Sequence, residues 1–203
     1  MDWFAYENMA MKKGYLSICG IDEAGRGPLA GPVFAAAVIL PSNQFIEGLN
    51  DSKKLSEKKR EALFDVIKET AVSCAVGFAT EEEIDEINIL QATFLAMKRA
   101  CDGLDVKPDL ALVDGNRMPT LGVETQIIIK GDALSASIAA ASILAKVSRD
   151  RLMVEIDKIY PQYQFAKHKG YGTALHTELL REYGPCPVHR RTFLKKILGQ
   201  ANE

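Results

Sequence analysis

Short apolar runs closed by glycine, proline or an acid recur between residues 16 and 130, interleaved with stretches whose apolar positions repeat at helical spacing. Leu16–Asp22 is such a run and reads as a strand entering the turn Ala24-Gly25-Arg26-Gly27-Pro28. Val33–Leu40, bounded by Pro32 and Pro41, reads as a second strand, buried along its length, and the chain returns on itself between the two. Val72–Phe78 is a third strand. Leu110–Val113 and Thr125–Lys130 are two more, running into Asp114-Gly115 and Gly131-Asp132.

The helical stretches carry their own start signals. Ser56 is placed to cap a helix whose inner face includes Leu63, Val66 and Ile67. Thr80 followed by Glu83 matches a capping box. The helix it opens is expected to run to about Ala100 with Ile84, Ile87, Leu90, Phe94 and Met97 inward. An alanine-rich helix is expected from about Ser135 to Tyr160, its Ala139-Ala140-Ala141 pressed against the sheet. Two further helices are expected over Thr173–Tyr183 and His189–Leu198. The order predicts an α/β fold: a mixed five-stranded sheet, antiparallel early and parallel late, flanked by helices, with a helical C-terminal lobe. The expected organisation is an N-terminal extension (1–15), a main domain (16–160) and a helical C-terminal region (161–203).

Composition narrows the class. The 203 residues are 47% hydrophobic and 26% charged, which excludes intrinsic disorder. The longest apolar run, Val33–Leu40, is far short of the roughly 20 residues that span a bilayer. The acidic start, with no apolar segment after it, does not read as a secretory signal, so a cytoplasmic location with no membrane partner is expected. Cys19, Cys74, Cys101 and Cys186 are scattered without zinc spacing and read as idle reduced thiols. Charge is uneven: residues 1–142 carry 14 Lys/Arg against 21 Asp/Glu, whereas residues 143–199 carry 11 against 5. All three histidines, His168, His176 and His189, lie in the basic stretch. That stretch fits a polyanion-binding face and a solvated helical surface equally well.

Three strands deliver acids at their ends: Asp22-Glu23, Asp114 and Asp132. Groups at strand ends converge and are held rigidly. Converging carboxylates cannot all ionise unless protons or cations relieve them, and hard divalent cations with oxygen ligands answer that need. Two such ions, roughly 3.5–4 Å apart, can clamp both oxygens of an in-line phosphoryl displacement. Gly25-Arg26-Gly27 either lets backbone approach a ligand or makes a plain tight turn, and it is neither a Walker loop nor a dinucleotide fingerprint. Asp51-Ser52-Lys53-Lys54-Leu55 suits phosphate contact or a solvated loop, and Lys167–Thr173 sets Tyr171 between two glycines, placed to stack on a sugar or to cap the surface. Arg190-Arg191 suits phosphates or a helix surface.

These segments together resemble bacterial ribonuclease HII: Gly20–Pro32 (GIDEAGRGPLAGP), Asp51–Leu55, Asp114-Gly115, Lys130–Asp132 through Ala139–Ile143, and His168–Thr173. The resemblance spans about Leu16 to Phe193. It implies an RNase H-like fold and an endonuclease that cuts the RNA strand of RNA–DNA hybrids and incises 5′ of ribonucleotides embedded in duplex DNA, leaving 5′-phosphate and 3′-hydroxyl ends. It places the catalytic, metal-binding acids at Asp22, Glu23, Asp114 and Asp132, taking two Mg²⁺ or Mn²⁺ ions. The ribose-sensing turn falls on Gly25, Arg26 and Gly27, the junction-reading tyrosine on Tyr171, and phosphate roles on Ser52 and Lys53. The alternatives are a non-catalytic hybrid-binding module with structural Mg²⁺, or a metal-dependent phosphatase or nuclease of another family. A monomer is expected, and Gln200–Glu203 carries no evident clamp-binding tail.

Overall fold

A computed structural model describes residues 2–42, 44–195 and 197–199; Gln200–Glu203, where a clamp-binding tail was looked for, lies outside them. Strand β1 (Ile18–Ala24) is the middle of a five-stranded sheet of order β3-β2-β1-β4-β5. It pairs antiparallel with β2 (Val33–Ile39), which pairs antiparallel with β3 (Ser73–Ala79). On its other side β4 (Leu110–Asp114) and β5 (Glu124–Ile128) run parallel to it.

Alternation along the strands sorts side chains onto two faces. Cys19, Ile21, Val33, Ala35, Ala37, Ala111 and Val113 pack on α3 (Glu81–Asp102). Ala36 and Val38 meet α2 (Glu57–Thr70) and the alanines of α4 (Ala136–Ile159) on the other side. The approach of α4 is close because of Gly20: a Cβ there would stand 2.2 Å from the Ile138 nitrogen. Replacing that hydrogen by a methyl would push the helix off the strand that carries Asp22.

The expected elements recur with shifted edges. Leu16, 90% exposed, and the exposed Val72 fall outside β1 and β3. On α2 the inner face is Leu63, Phe64 and Ile67, and Val66 is exposed. The helix opened by the Thr80–Glu83 capping box is broken at Asn88, whose φ is +67°. The Asn88 Oδ1 accepts from the Leu90 and Gln91 amides, starting the helix afresh. That break shifts the phase, so Ile89 rather than Leu90 joins Ile87 and Phe94 against the core. The last expected helix is only α7, Arg191–Leu194.

Residues 1–15 carry a helix that the pattern did not announce, α1 (Ala5–Lys12). Its buried Glu7 accepts from the Ser135 and Ser137 hydroxyls at the start of α4, where a carboxylate is favoured by the helix dipole. The C-terminal lobe holds the short α5 (Phe165–His168) and α6 (Ala174–Tyr183), packed around Met153, Tyr163 and Phe165, and α7, whose Leu194 packs with Leu29 and Leu180. All four cysteines are free. Among the described residues no helix is long and apolar enough to cross a membrane.

Candidate active site

Register explains how distant acids meet. Gly20 faces α4, so Asp22, two residues on, faces it too. Leu112 packs with Ile138 of α4, so Asp114 emerges on the same side of the neighbouring parallel strand. Asp132 sits in the short 3-10 turn Gly131–Ala133 that leads into α4. Carboxylate oxygens of Asp22, Asp114 and Asp132 lie within 4.8 Å of one another. Glu23 stands outside that trio, beside Arg26 at 3.4 Å, and lines the adjoining cavity.

Few donors serve these acids. The Asp22 Oδ1 accepts from the Glu23 amide at 2.7 Å, and the Asp114 Oδ1 from the Gly131 amide at 2.7 Å. Burial pushes the Asp22 carboxyl well above the usual range, helped by the charges of Glu23 and Asp114 and opposed by the Glu23 amide and the Ser142 hydroxyl. Burial also raises Glu23, with Arg26 opposing, and raises Asp132, with the Asp114 charge adding to it. The Lys53 ammonium lies 3.9 Å from Asp132. Burial works against that cation, but Asp132, Asp22, Asp51 and Asp114 outweigh it and hold it protonated. One exposed lysine does not neutralise the cluster. The donor set is entirely oxygen, with no histidine or cysteine in it, and fits a hard divalent cation.

Beside the acids opens a cavity of about 240 Å³ lined by Asp22, Glu23, Gly25–Gly27, Ser52, Lys53, Ser142, Lys146 and Tyr171. The expected site residues therefore share one cleft or its edge. Ser52 is buried, its hydroxyl 2.7 Å from that of Ser142. Tyr171 is 40% exposed, with Lys146 and Arg149 each under 6 Å from its ring centre.

Ser142 and Lys146 escaped the sequence reading as site residues, although their spacing of four puts both on one face of α4. The basic C-terminal quarter is less cationic than it reads. Arg149 and Arg190 point inward and are fully buried. The three histidines are buried too, and burial lowers His168 and brings His176 and His189 down to about 4, leaving them neutral near pH 7. Neither surface nor phosphate claims Arg190: its partners are backbone carbonyls of the Gly25–Gly31 turn.

A family model for ribonuclease HII matches residues 19–196. Ribonuclease HII of Caldicellulosiruptor bescii is 57% identical over 198 residues, covering 98% of this chain and 96% of that one. Ribonuclease HII of Vibrio parahaemolyticus is 59% identical over 189 residues, 92% of this chain and 90% of that one. Among solved structures, ribonuclease H2 of Pyrococcus horikoshii has a TM-score of 0.74 at 30% identity, covering 91% of this chain and 98% of that one. The RNase HII of the PCNA:RNase HII complex from Archaeoglobus fulgidus has a TM-score of 0.72 at 28% identity, covering 86% and 94%. Bst-RNase HIII in complex with Mn²⁺, at 20% identity and a TM-score of 0.68 over 86% and 65%, shares the fold. With an RNase H-like sheet, a carboxylate cluster at its strand ends and these identities, the chain belongs to the ribonuclease HII family and is a metal-dependent endoribonuclease.

Proposed function

We propose that the protein cuts the RNA strand of RNA–DNA hybrids and incises 5′ of single ribonucleotides in duplex DNA, leaving 5′-phosphate and 3′-hydroxyl ends. The observation that carries this reading is the meeting of three carboxylates beside a cleft whose wall is the Gly25-Arg26-Gly27 turn and whose rim is Tyr171. Asp22, Glu23, Asp114 and Asp132 are the residues to hold two Mg²⁺ or Mn²⁺ ions. Bound there, such ions supply a more acidic water and charge stabilisation at phosphate oxygens.

The remaining work falls to the chain itself. The 2′-hydroxyl is the one group that separates ribose from deoxyribose at a nucleotide, and Arg26 and Gly27 are exposed on the wall of the cleft, where a sugar edge can reach their backbone. The Tyr171 ring, half out of the surface, offers a flat face to the adjoining deoxyribose, where an added hydroxyl has no partner. Lys53 reaches from the rim toward the acids and is placed for a phosphate, with Ser52 beneath it tied to Ser142. The exposed cations Lys167, Arg181 and Arg191 are available to phosphates of a duplex without reading its sequence, so affinity is expected to fall with salt.

The test is incubation with Mg²⁺ and a DNA duplex carrying one ribonucleotide. Incision on its 5′ side is the expected result. Equal cutting of the all-DNA duplex sinks the reading, and binding without any cutting favours a non-catalytic hybrid-binding module.

A further inference from the structure

Two fully buried guanidiniums lie behind the turn that reads the sugar in the proposal above, on which this inference rests. Arg190 donates from Nε to the Gly31 carbonyl at 2.8 Å and from Nη2 to Gly25 at 2.6 Å. Its Nη1 reaches Arg26 at 3.0 Å and Pro28 at 2.8 Å. Arg149 donates to the Pro32, Ala30 and Lys169 carbonyls at 3.0–3.1 Å. Six carbonyls of the Gly25–Pro32 segment are thus turned inward onto two side chains.

The orientation has a stereochemical consequence. In a planar trans peptide the C=O and the following N–H point in opposite directions. With the Gly25 and Arg26 carbonyls held by Arg190, the amides of Arg26 and Gly27 face the open side of the turn. Among the described residues neither amide has a hydrogen-bond partner, whereas the Leu29 and Gly31 amides bond Gly170 and Val188. Gly25 permits the arrangement: its φ is +95°, and a Cβ there would stand 2.1 Å from the Arg149 Nε.

Neither arginine has a carboxylate within ion-pairing distance among the described residues. Two like charges buried together are a costly way merely to fill space, since apolar side chains of similar volume do it at least as well. Their yield is a fixed geometry for a loop with no ladder of its own.

We propose that Arg190, with Arg149 beside it, is a positioning residue for ribose selection. It turns the carbonyls of the Gly25–Gly31 segment inward so that the Arg26 and Gly27 amides are held ready for the sugar edge. Arg149 extends the same hold to the other wall, because it also binds the Lys169 carbonyl and underlies the Tyr171 ring.

Arg190→Lys keeps a cation but cannot span four carbonyls with a rigid fork. The measurement is the affinity for a duplex with one ribonucleotide divided by that for the same all-deoxy duplex, without divalent cation. A ratio cancels any loss of folded protein. The expected result is an approximately tenfold fall in the ribonucleotide preference, with all-deoxy affinity within about twofold of wild type. A folded Arg190→Lys that keeps the wild-type preference overturns the proposal, as does a parallel loss of both affinities with the preference intact. If circular dichroism shows Arg190→Lys unfolded, Arg149→Lys takes its place, together with ¹⁵N relaxation of the wild type. Amides of residues 25–31 as rigid as those of β1 support the proposal, and a mobile segment overturns it. A wild type without any ribonucleotide preference refutes the ribose reading itself, a failure seen before any variant is made.

Discussion

Two of the molecule's groups of buried charge are treated oppositely. At the strand ends, Asp22, Asp114 and Asp132 crowd together with few donors for their oxygens, and Asp22 is pushed well above its normal range by burial and by its neighbours. Where α4 meets the C-terminal lobe, Arg149 and Arg190 direct seven hydrogen bonds to backbone carbonyls, and the neighbouring histidines form a closed neutral chain. There the His176 Nδ1 is 3.0 Å from the Tyr171 carbonyl, and its Nε2 is 3.1 Å from the His189 Nε2. The difference is one of satisfaction. Unsatisfied lone pairs are poised to take a ligand, whereas satisfied donors can only build. A buried charge is a functional group when its partners are missing and a structural one when they are present.

The largest effect is expected at the unsatisfied end. Asp114→Asn lowers single-turnover cleavage by about 10³-fold or more while hybrid binding survives, and its metal-free melting temperature does not fall, since a like charge is removed. A wild-type rate in that variant removes Asp114 from the chemistry. At the satisfied end, acid is the sharpest probe. His176 and His189 titrate at about 4 in the fold against 6.5 for the free side chain. The unfolded chain therefore binds more protons between those values. Stability present above about pH 6.5 is lost as the pH falls toward 4, by about 3 kcal/mol if the first proton opens the chain. Urea unfolding at stepped pH reads this directly, and a flat profile breaks the neutral-histidine half of the comparison.

Arg149→Met leaves three carbonyls without their donor and is expected to cost about 2.5 kcal/mol in urea unfolding, offset in part by the lost buried charge. Returning to the acids, Mg²⁺ at about thirty times its Kd is expected to stabilise the wild type by about 2 kcal/mol. Differential scanning of Asp114→Asn with the same Mg²⁺ then shows little shift. The smallest effect belongs to neither region: Arg151→Gln removes an exposed ion pair to Glu61 and changes stability by less than about 1 kcal/mol.

How much of this was legible beforehand follows from the range of each interaction. The capping box at Thr80–Glu83 and the cap at Ser56 are contacts three residues apart, and they stand where the pattern placed them. The break at Asn88 was not legible, because no glycine or proline marks it and apolar residues continue on both sides of it. The acids were legible as groups at or just after strand ends, since alternation and turn signals are local, although Asp132 stands beyond β5 in the turn Gly131–Ala133. Their separation was not, for it depends on Gly20 letting α4 close on β1 and on the parallel register of β1 with β4. Arg190 was legible only as a basic residue beside another basic residue; its partners lie about 160 positions away.

The five strands and the main helices between them, the acids that follow the strands and the family are thus written in local pattern and motif, because short-range sterics and side-chain period decide them. What only the folded chain decided is which charges are satisfied. Burial is a property of contacts between segments far apart in the chain, and a guanidinium or carboxylate carries no mark in its own neighbourhood of whether carbonyls, water or other charges will surround it.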